Sequence, residues 1–571
     1  MTGLNRPVEG TGKQERLDLL AMFLLSLAIR TIVAAFIVHP GYMDSAYYAS
    51  GALRLAQGAG FSEPFIWNYL GDPATIPHPG FLYWMPLPSI LAAVPALVFP
   101  DSFFALQLPF VVLSALLPLV AYGLARQFTP HLASPGGRGI SPPLASPRGG
   151  ELVNQGRRLA WGAGLLVVFS GFFFPYWTLP ETFALFALIG SLALWLAGRP
   201  AAEREGGKIY AGRWLLVGLL TGLAHLTRAD GILLLPIVVL APLASRRPRG
   251  VPSPKAPAPR VAFRVSRLAI RRALLVILGY LLALTPWFAR NLVVIGTPLS
   301  PSGTRTIWLT NYDDLFCYDC DLSLSSYLAW GWGNILGAKL SALWINFQRF
   351  LAEDCLVFLL PFAAMGICRL RRHLAVALAT MYLLLIYLAH SLVFTFPGWR
   401  GGFFHASGAV LPFLYVAALE GLDGAVLWVA RRRRTWTYQQ ARMAFGVAAI
   451  VMAIALSGYM AWKKLPAWRR ADVTYRSIDT WLTSEGISHA TVMTGDPPAF
   501  WYHTRRPAVV VPNADVRTLL TVCDRYGVEY VVLEENHPAE LEGLYEERVT
   551  LERLNPAATF GEGSVKMWRV E

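Results

Sequence analysis

Long uninterrupted runs of apolar residues recur along this chain, beginning with residues 17–38 and ending with residues 442–462. Most runs contain roughly 18 to 22 residues, the length of a helix that crosses the hydrocarbon core of a bilayer. Hydrophobic residues make up 55% of the 571 residues and charged residues only 15%, so the apolar surface exceeds what a soluble core buries. The sequence therefore predicts a polytopic α-helical membrane protein.

We expect about eleven transmembrane helices. A further hydrophobic segment, 81–99, carries three prolines that suit a broken helix lying along the membrane. No small-residue cleavage site follows the first segment, which is interpreted as an uncleaved signal anchor. The predicted spans are residues 17–38, 103–125, 159–175, 182–198, 213–227, 231–244, 273–290, 353–368, 374–395, 405–430 and 442–462.

Basic residues cluster between the hydrophobic runs and account for the net charge of +14. This distribution is typical of cytoplasmic loops and argues against a nucleic-acid-binding protein. Residues 126–158 hold five Arg against one Glu, and residues 245–272 hold nine basic residues and no acid. If residues 81–99 crossed the membrane, every later basic loop would lie outside. We therefore place the N-terminus in the cytoplasm and 81–99 on the outer face of the cell membrane.

This topology predicts a transmembrane module, 1–462, whose first outer loop, 39–101, contains two juxtamembrane helices and whose large outer loop is 291–352. Residues 127–158 and 245–272 are expected to be disordered cytoplasmic loops, because parts of both are rich in Pro and small residues. Beyond residue 462 the elements become short and alternate, which predicts a small extracytoplasmic α/β domain, 463–571. Its expected helices are 473–485 and 516–526, and its expected strands are 490–493, 508–511 and 528–533.

Two acidic residues lie at predicted outer membrane edges. Asp44 follows the first span and precedes a helical run, so it suits either a helix N-cap or a general base that accepts a proton from a hydroxyl group. Glu181 lies in a turn between two spans. It suits either a first-turn carboxylate that the helix dipole favours or a functional group, since carboxylates at this depth are costly. The two carboxylates are expected to flank one site.

Three arginines lie on the predicted outer side, where positive charge is disfavoured: Arg228, Arg290 and Arg400. Each is compatible with a local ion pair, such as Arg228 with Asp230, or with a position at the membrane interface. Together they also suit an anion in the membrane plane, most economically the phosphate of a lipid-linked ester.

Two further features concern metal and redox chemistry. His78 is compatible with a metal ligand, a phosphate contact or a turn residue. The five cysteines cannot form a disulfide framework, but Cys317 and Cys320 lie in the large outer loop without a second pair at zinc-site spacing. A local disulfide is the interpretation for this pair.

Residues 17–430 resemble the GT-C superfamily of membrane glycosyltransferases, especially its protein mannosyltransferases and lipid A aminoarabinose transferases. Ser45 follows Asp44 where many members have a Glu, and Gly80 stands where the family has a second Pro. The matching motifs are Asp44 with Tyr47, the sequence HPGFL at 78–82, LPE at 179–181, LTRADG at 226–231, PWFARN at 286–291 and GTP at 296–298.

The resemblance implies transfer of a sugar from a polyprenyl-phosphate donor to a hydroxyl acceptor on a lipid, polysaccharide or protein at the outer face. It implies Asp44 as the base and Glu181 as a second catalytic acid. A divalent metal is compatible with this activity but not required, and His78 is its candidate ligand. The implied phosphate contacts are Arg228, Arg290 and Arg400, and the implied substrate contacts are Tyr47, His78 and Asn291.

Two other functions use similar residues. A transporter or flippase of lipid-linked saccharides would also need intramembrane acids and arginines, but transporters often show internally repeated halves, and the sequence shows no such symmetry. A non-catalytic membrane scaffold would use the domain 463–571 to bind a partner. Replacement of Asp44 with Asn distinguishes these functions. An enzyme should lose glycosyl transfer while still binding the donor lipid, whereas a scaffold should keep its phenotype.

Overall fold

The computed structural model describes residues 10–132, 149–199, 207–245, 262–263, 266–433 and 436–571. A helix overlaps each of the eleven predicted spans. Within the described ranges, six helical segments are long and apolar enough to cross a bilayer. The polytopic α-helical fold is therefore confirmed.

Short 3-10 and π-helical turns join several of the elements. The first half of the chain contains α1 (Gly10–Phe36), α2 (Met43–Ala56), β1 (Ser62–Glu63), β2 (Phe65–Ile66), β3 (His78–Pro79), α3 (Leu87–Ala96), α4 (Phe103–Leu132), α5 (Gly149–Val168), α6 (Thr182–Gly198), α7 (Gly207–Thr227), α8 (Leu234–Leu240), β4 (Ala244–Ser245), β5 (Ala262–Phe263) and α9 (Arg267–Ile295). The helices that follow are α10 (Pro301–Arg305), α11 (Leu324–Ala329), α12 (Trp332–Arg349), α13 (Leu360–Leu370), α14 (Leu374–Leu388), α15 (Thr395–Pro397), α16 (Phe403–Ser407), α17 (Leu411–Ala430) and α18 (Tyr438–Ser484).

The predicted non-spanning segment 81–99 forms a single short helix, α3. Its ten residues extend about 15 Å, roughly half of the hydrocarbon thickness. α3 packs against α2, where the Ser89 hydroxyl donates to the Tyr48 carbonyl at 2.9 Å. The juxtamembrane pair of helices expected in the first loop is therefore present.

Glycines set the closest helix contacts in the membrane module. A β carbon on Gly218 of α7 would lie 2.0 Å from the Val276 carbonyl oxygen of α9, and one on Gly366 of α13 would lie 1.7 Å from the Ala417 carbonyl oxygen of α17. Small residues let two helix backbones approach in this way where lipid offers no hydrophobic driving force.

The two segments expected to be disordered are partly helical. α4 continues to Leu132 and α5 begins at Gly149, so both ends of 127–158 belong to membrane helices. Likewise α9 begins at Arg267, within 245–272, with Ser266 as its N-cap. The prediction fails at these ends because the helices extend beyond their apolar cores, and residues 133–148 and 246–261 lie outside the described ranges.

The C-terminal region has the expected α/β pattern, but it is not separate from the membrane module. The predicted boundary at 462/463 falls inside α18, a continuous helix of 47 residues. Its elements are β6 (Thr491–Thr494), α19 (Pro497–Thr504), β7 (Ala508–Val510), α20 (Val516–Tyr526), β8 (Val528–Leu533), α21 (Glu542–Tyr545), β9 (Leu554–Phe560) and β10 (Val565–Val570).

One mixed sheet joins the C-terminal region to the first outer loop. Its strand order is β2-β7-β6-β8-β10-β9. Strand β2 of the first loop runs parallel to β7, with Phe65 opposite Ala508. The loop 39–101 and the C-terminal region therefore form one unit above the helices, and α19 packs against α2 within it.

Candidate active site

Three ionisable side chains from distant parts of the chain meet at one end of the helices. Asp44 lies in the first turn of α2, Glu181 is the residue before α6, and His405 lies in α16. One ligand atom from each lies within 4.8 Å of the other two. The predicted pairing of Asp44 with Glu181 is therefore present in the structure, with His405 added.

Asp44 is not an N-cap. The cap position of α2 is Tyr42, and no side chain caps the helix. The Asp44 side chain is 31% exposed, with one carboxylate oxygen 3.8 Å from His405 Nε2. Removal from bulk water raises the pKa of Asp44 to about 6, although the positive charge of Arg228 opposes the shift. The group is thus suited to accept a proton near neutral pH.

Glu181 is buried and has no hydrogen-bond partner among the described residues. Both carboxylate oxygens are orphaned, and the Tyr42 hydroxyl nearby lies outside hydrogen-bond geometry. Burial, together with the charge of Asp44, raises the pKa of Glu181 well above its usual range. Glu181 lies at the N-cap position of α6 rather than in its first turn, where the helix dipole still favours a carboxylate, but its side chain makes no capping hydrogen bond.

His405 contacts the first residues of α6, the helix that begins directly after Glu181. Its Nδ1 lies 2.9 Å from the Thr182 hydroxyl, and its ring stacks on Phe183 with the centroids 3.8 Å apart. These contacts orient Nε2 toward Asp44. The sequence analysis missed His405 because it opens a hydrophobic run, although an ionisable residue in such a run is itself a signal of function.

Arg228 lies beside this group and pairs with a local acid. Its guanidinium donates to both carboxylate oxygens of Asp230, at 2.9 and 2.7 Å. His390 Nε2 lies 3.1 Å from the same carboxylate. Longer contacts of 3.4 Å reach the Thr182 hydroxyl and the Gly402 carbonyl. The local ion pair proposed from the sequence is confirmed, and it fixes Arg228 at the edge of the site.

Arg400 reaches the rim of the site through Tyr312. Its guanidinium carbon lies 4.7 Å from the centre of the Tyr312 ring, and the negative charge of Asp44 acts on the Tyr312 hydroxyl. Tyr312 comes from the large outer loop. The large outer loop and the segment Gly398–Gly402, which are distant in the sequence, therefore both approach Asp44.

The remaining predicted residues anchor the first outer loop instead. Tyr47 donates to the buried Glu63 at 2.5 Å, and His78 Nε2 lies 3.0 Å from the Phe65 carbonyl. Arg290 donates to the carbonyls of Phe61 and Gly80 at 3.1 and 3.0 Å. These contacts join the first loop to itself and to α9.

Asn291 takes part in the same anchor. It accepts from Arg290 at 3.0 Å and donates to the Pro298 carbonyl at 3.1 Å. The structure therefore does not bring Tyr47, His78, Arg290 or Asn291 onto the Asp44 carboxylate. The central acid of this anchor is Glu63, which the sequence analysis did not identify.

Replacement of Glu63 with Ala should lower the free energy of unfolding by about 1 to 3 kcal/mol, since it orphans one buried donor and leaves a second buried donor with only a 3.2 Å contact to the Tyr47 hydroxyl. Those donors are Tyr47 and the Phe81 amide, the latter 2.7 Å from Glu63. Thermal unfolding and limited proteolysis of residues 39–101 measure the effect. The exposed Glu552→Ala serves as the matched control, and equal stability of both variants would contradict the anchor.

The group of Asp44, Glu181 and His405 also fits a divalent cation. Two carboxylates and one imidazole form a donor set that such ions accept, and the orphaned oxygens of Glu181 offer unused ligand capacity. His78 is not part of this group, because its ring nitrogens face the carbonyls of Phe65 and Pro79. The candidate ligand therefore changes from His78 to His405.

We expect Glu181→Gln and His405→Ala to weaken binding of a divalent metal at least about tenfold. His78→Ala should retain wild-type metal content and is the control for loss of an imidazole outside this group. Elemental analysis of purified protein equilibrated with Zn²⁺ or Mn²⁺ measures the difference. Loss of metal in His78→Ala alone would overturn this assignment.

Cys317 and Cys320 are bonded to each other, as the sequence analysis interpreted them. The pair lies in the large outer loop after Tyr312–Phe316, the turn that carries Tyr312 to the site. Between the two cysteines, the Tyr318 ring packs on Tyr69 of the first loop. The disulfide thus closes the end of the loop segment that borders the site.

The chain aligns with the crystal structure of ArnT from Cupriavidus metallidurans bound to undecaprenyl phosphate, with a TM-score of 0.54 and 13% sequence identity. The alignment covers 96% of this chain and 97% of that chain. ArnT from the same organism in the apo state aligns with a TM-score of 0.52 and 14% identity, over 96% and 97% of the two chains.

No protein-family model and no curated protein sequence matches the chain. The likeness to ArnT extends over the membrane helices and the C-terminal region alike, since it covers almost the full length of both chains. The chain therefore shares its fold with ArnT, a membrane-protein fold of the kind that the sequence analysis predicts.

Proposed function

We propose that this protein transfers a sugar from a polyprenyl-phosphate donor to a hydroxyl group of a glycan, lipid or protein at the outer face of the cell membrane. The observation that carries the proposal is the group of Asp44, Glu181 and His405 beside Arg228. The undecaprenyl phosphate bound to the structurally similar ArnT supports a lipid-linked donor. The clustering of basic residues between spans supports the outer face.

The chemistry requires little beyond alignment, proton removal and charge stabilisation. A sugar on a polyprenyl phosphate already carries a good leaving group. The acceptor oxygen bonds to the anomeric carbon while the bond from that carbon to the phosphate oxygen breaks. Asp44 accepts the hydroxyl proton, and polyprenyl phosphate leaves. Direct displacement with one base inverts the anomeric centre.

The arginines at the edge of the site have the chemistry for the departing phosphate. Arg228 is fixed by Asp230, and Arg400 lies over the Tyr312 ring. Guanidinium groups form paired hydrogen bonds with phosphate oxygens and keep their charge when partly buried. We assign Arg228 and Arg400 to the donor phosphate, and Arg290 to the loop anchor instead.

A divalent cation held by Asp44, Glu181 and His405 would add positive charge close to that phosphate. Asp44 has two carboxylate oxygens, so a bond from one of them leaves the other free to accept a proton. Glu181 is buried too deeply to meet an acceptor hydroxyl directly. We therefore assign proton removal to Asp44 and a positioning role to Glu181.

The function is tested by comparing cells that lack the protein with cells that carry the wild-type chain. Mass spectrometry of glycolipids, polysaccharides and envelope proteins should show one sugar modification that is absent without the protein and restored with it. The deficient cells should also accumulate the unused polyprenyl-phosphate sugar. Identical glycan profiles in both strains would contradict the proposed transfer.

A further inference from the structure

A second group of polar side chains lies where β6 and β8 end. Thr494 is the last residue of β6, and Asp496 follows two positions later as the N-cap of α19. Glu534 comes directly after β8 and accepts a hydrogen bond from Tyr475 of α18 at 2.9 Å. We call Thr494, Asp496, Glu534 and Tyr475 the edge cluster.

The strand order makes this edge a crevice. β6 lies between β7 and β8 and is parallel to both. The chain leaves β6 through α19 toward β7, then crosses back through α20 to β8 on the other side of β6. Connections that diverge in this way leave an opening at the carboxyl ends of the strands, where open α/β sheets bind ligands.

The crevice has an unused hydrogen-bonding group inside it. Thr494 is fully buried, and within the described chain its hydroxyl has no hydrogen-bond partner, although it lies beside Tyr475. Gly495 is exposed above it. A β carbon at Gly495 would meet only the Glu534 carboxylate, at 3.8 Å. The edge is therefore open at Gly495, next to a buried hydroxyl that has no partner among the described residues.

The acidic groups of the edge cluster disfavour an anionic ligand such as a phosphate. The charges that act most strongly on Asp496 are those of Glu534, Asp44 and Asp472, and all three are acidic. Burial raises the pKa of Asp496 to about 7. Two carboxyl groups and two hydroxyls in a partly water-free crevice suit a neutral ligand that is rich in hydroxyl groups.

The edge cluster lies next to the helix that carries Asp44. α19 follows Asp496 directly and packs on α2, where the Ser50 hydroxyl donates to the Pro498 carbonyl at 3.3 Å. Asp44 and Asp496 are near enough for their charges to repel each other. A ligand in the crevice would thus lie beside the proposed base.

We propose that the edge cluster binds the hydroxyl groups of a saccharide, which is the sugar portion of the acceptor. The assignment to the acceptor rests on the proposed function, because the donor phosphate belongs with Arg228 and Arg400. The crevice then places an acceptor hydroxyl toward Asp44 while Asp496 and Glu534 hold its neighbouring hydroxyl groups. Binding of a saccharide as such depends only on the crevice.

Saturation-transfer difference NMR tests the site on the full chain, purified in detergent. The probes are glucose, galactose, mannose, arabinose and N-acetylglucosamine. At least one should bind to the wild-type protein. Its signal should fall at least about fivefold in Glu534→Ala, as for the loss of one or two hydrogen bonds. Gly495→Leu should have the same effect by filling the crevice.

The controls separate this site from the catalytic step. Glu529→Ala changes an exposed carboxylate on the same strand β8 and should leave binding unchanged. Thermal unfolding confirms that each variant is folded. Failure of all five sugars to bind, or binding that persists in folded Glu534→Ala and Gly495→Leu, would overturn the proposal. Sugar binding without any transfer activity would instead refute the proposed function alone.

Discussion

Replacement of Asp44 with Asn should reduce sugar transfer by about 10²- to 10⁴-fold, the usual contribution of a positioned general base. Asn keeps the shape of the side chain but cannot take the proton of the acceptor hydroxyl. The fold should be unaffected, because Asp44 is not the cap of α2 and, among the described residues, its ion pair is the long 3.8 Å contact with His405. Release of polyprenyl phosphate by purified protein measures the rate.

The matched control is Asp101→Asn, since Asp101 is an exposed acid at the other end of the same loop. It should transfer sugar at the wild-type rate. Asp44→Asn should still bind the donor lipid, because the arginines that meet the phosphate are untouched. Transfer by Asp44→Asn at the wild-type rate would contradict the mechanism. Loss of lipid movement across the membrane without loss of transfer would favour a transporter.

The membrane architecture could be predicted from the sequence because its signals are local. Each span needs only a run of apolar residues, and the Lys and Arg content of each loop predicts the side of the membrane on which that loop lies. The pairing of Asp44 with Glu181 was predictable for a related reason. Both residues lie at the ends of helices on the same predicted side of the membrane, so they are expected to lie close together.

The rest of the site depends on contacts that no local pattern encodes. His405 becomes part of the site only because α16 packs against the start of α6, where Thr182 fixes its ring. Strand β2 has two residues and is stabilised by pairing with β7, more than 440 positions away. Neither feature has a periodicity or a composition of its own.

The same reason explains why the sequence does not separate the predicted arginines. Arg290 and Arg228 look alike in the sequence, since each follows an apolar run on the predicted outer side. Only the fold shows that Arg290 donates to carbonyls of the first loop, whereas Arg228 pairs with Asp230 at the edge of the site. Charge alone therefore favours an anionic ligand but does not indicate which arginine faces the site.

Removal of Arg228 should have two separable effects. Arg228→Met leaves Asp230 buried with only His390 as a partner, which should cost about 3 to 5 kcal/mol of stability. It should also raise the KM for the donor about 10- to 100-fold, since a hydrogen bond to a charged group contributes about 1.5 to 3 kcal/mol. Thermal unfolding and donor titration measure the two effects independently.

The double variant Arg228→Met with Asp230→Leu distinguishes an arginine that contacts the phosphate from one that only stabilises the fold. Replacing both members of a buried ion pair with apolar residues of similar size is often neutral for stability. Stability should therefore return while the KM for the donor stays high and the KM for the acceptor stays near the wild-type value. Recovery of the donor KM together with stability would show that Arg228 serves the fold alone, and the phosphate would then have to be held by Arg400.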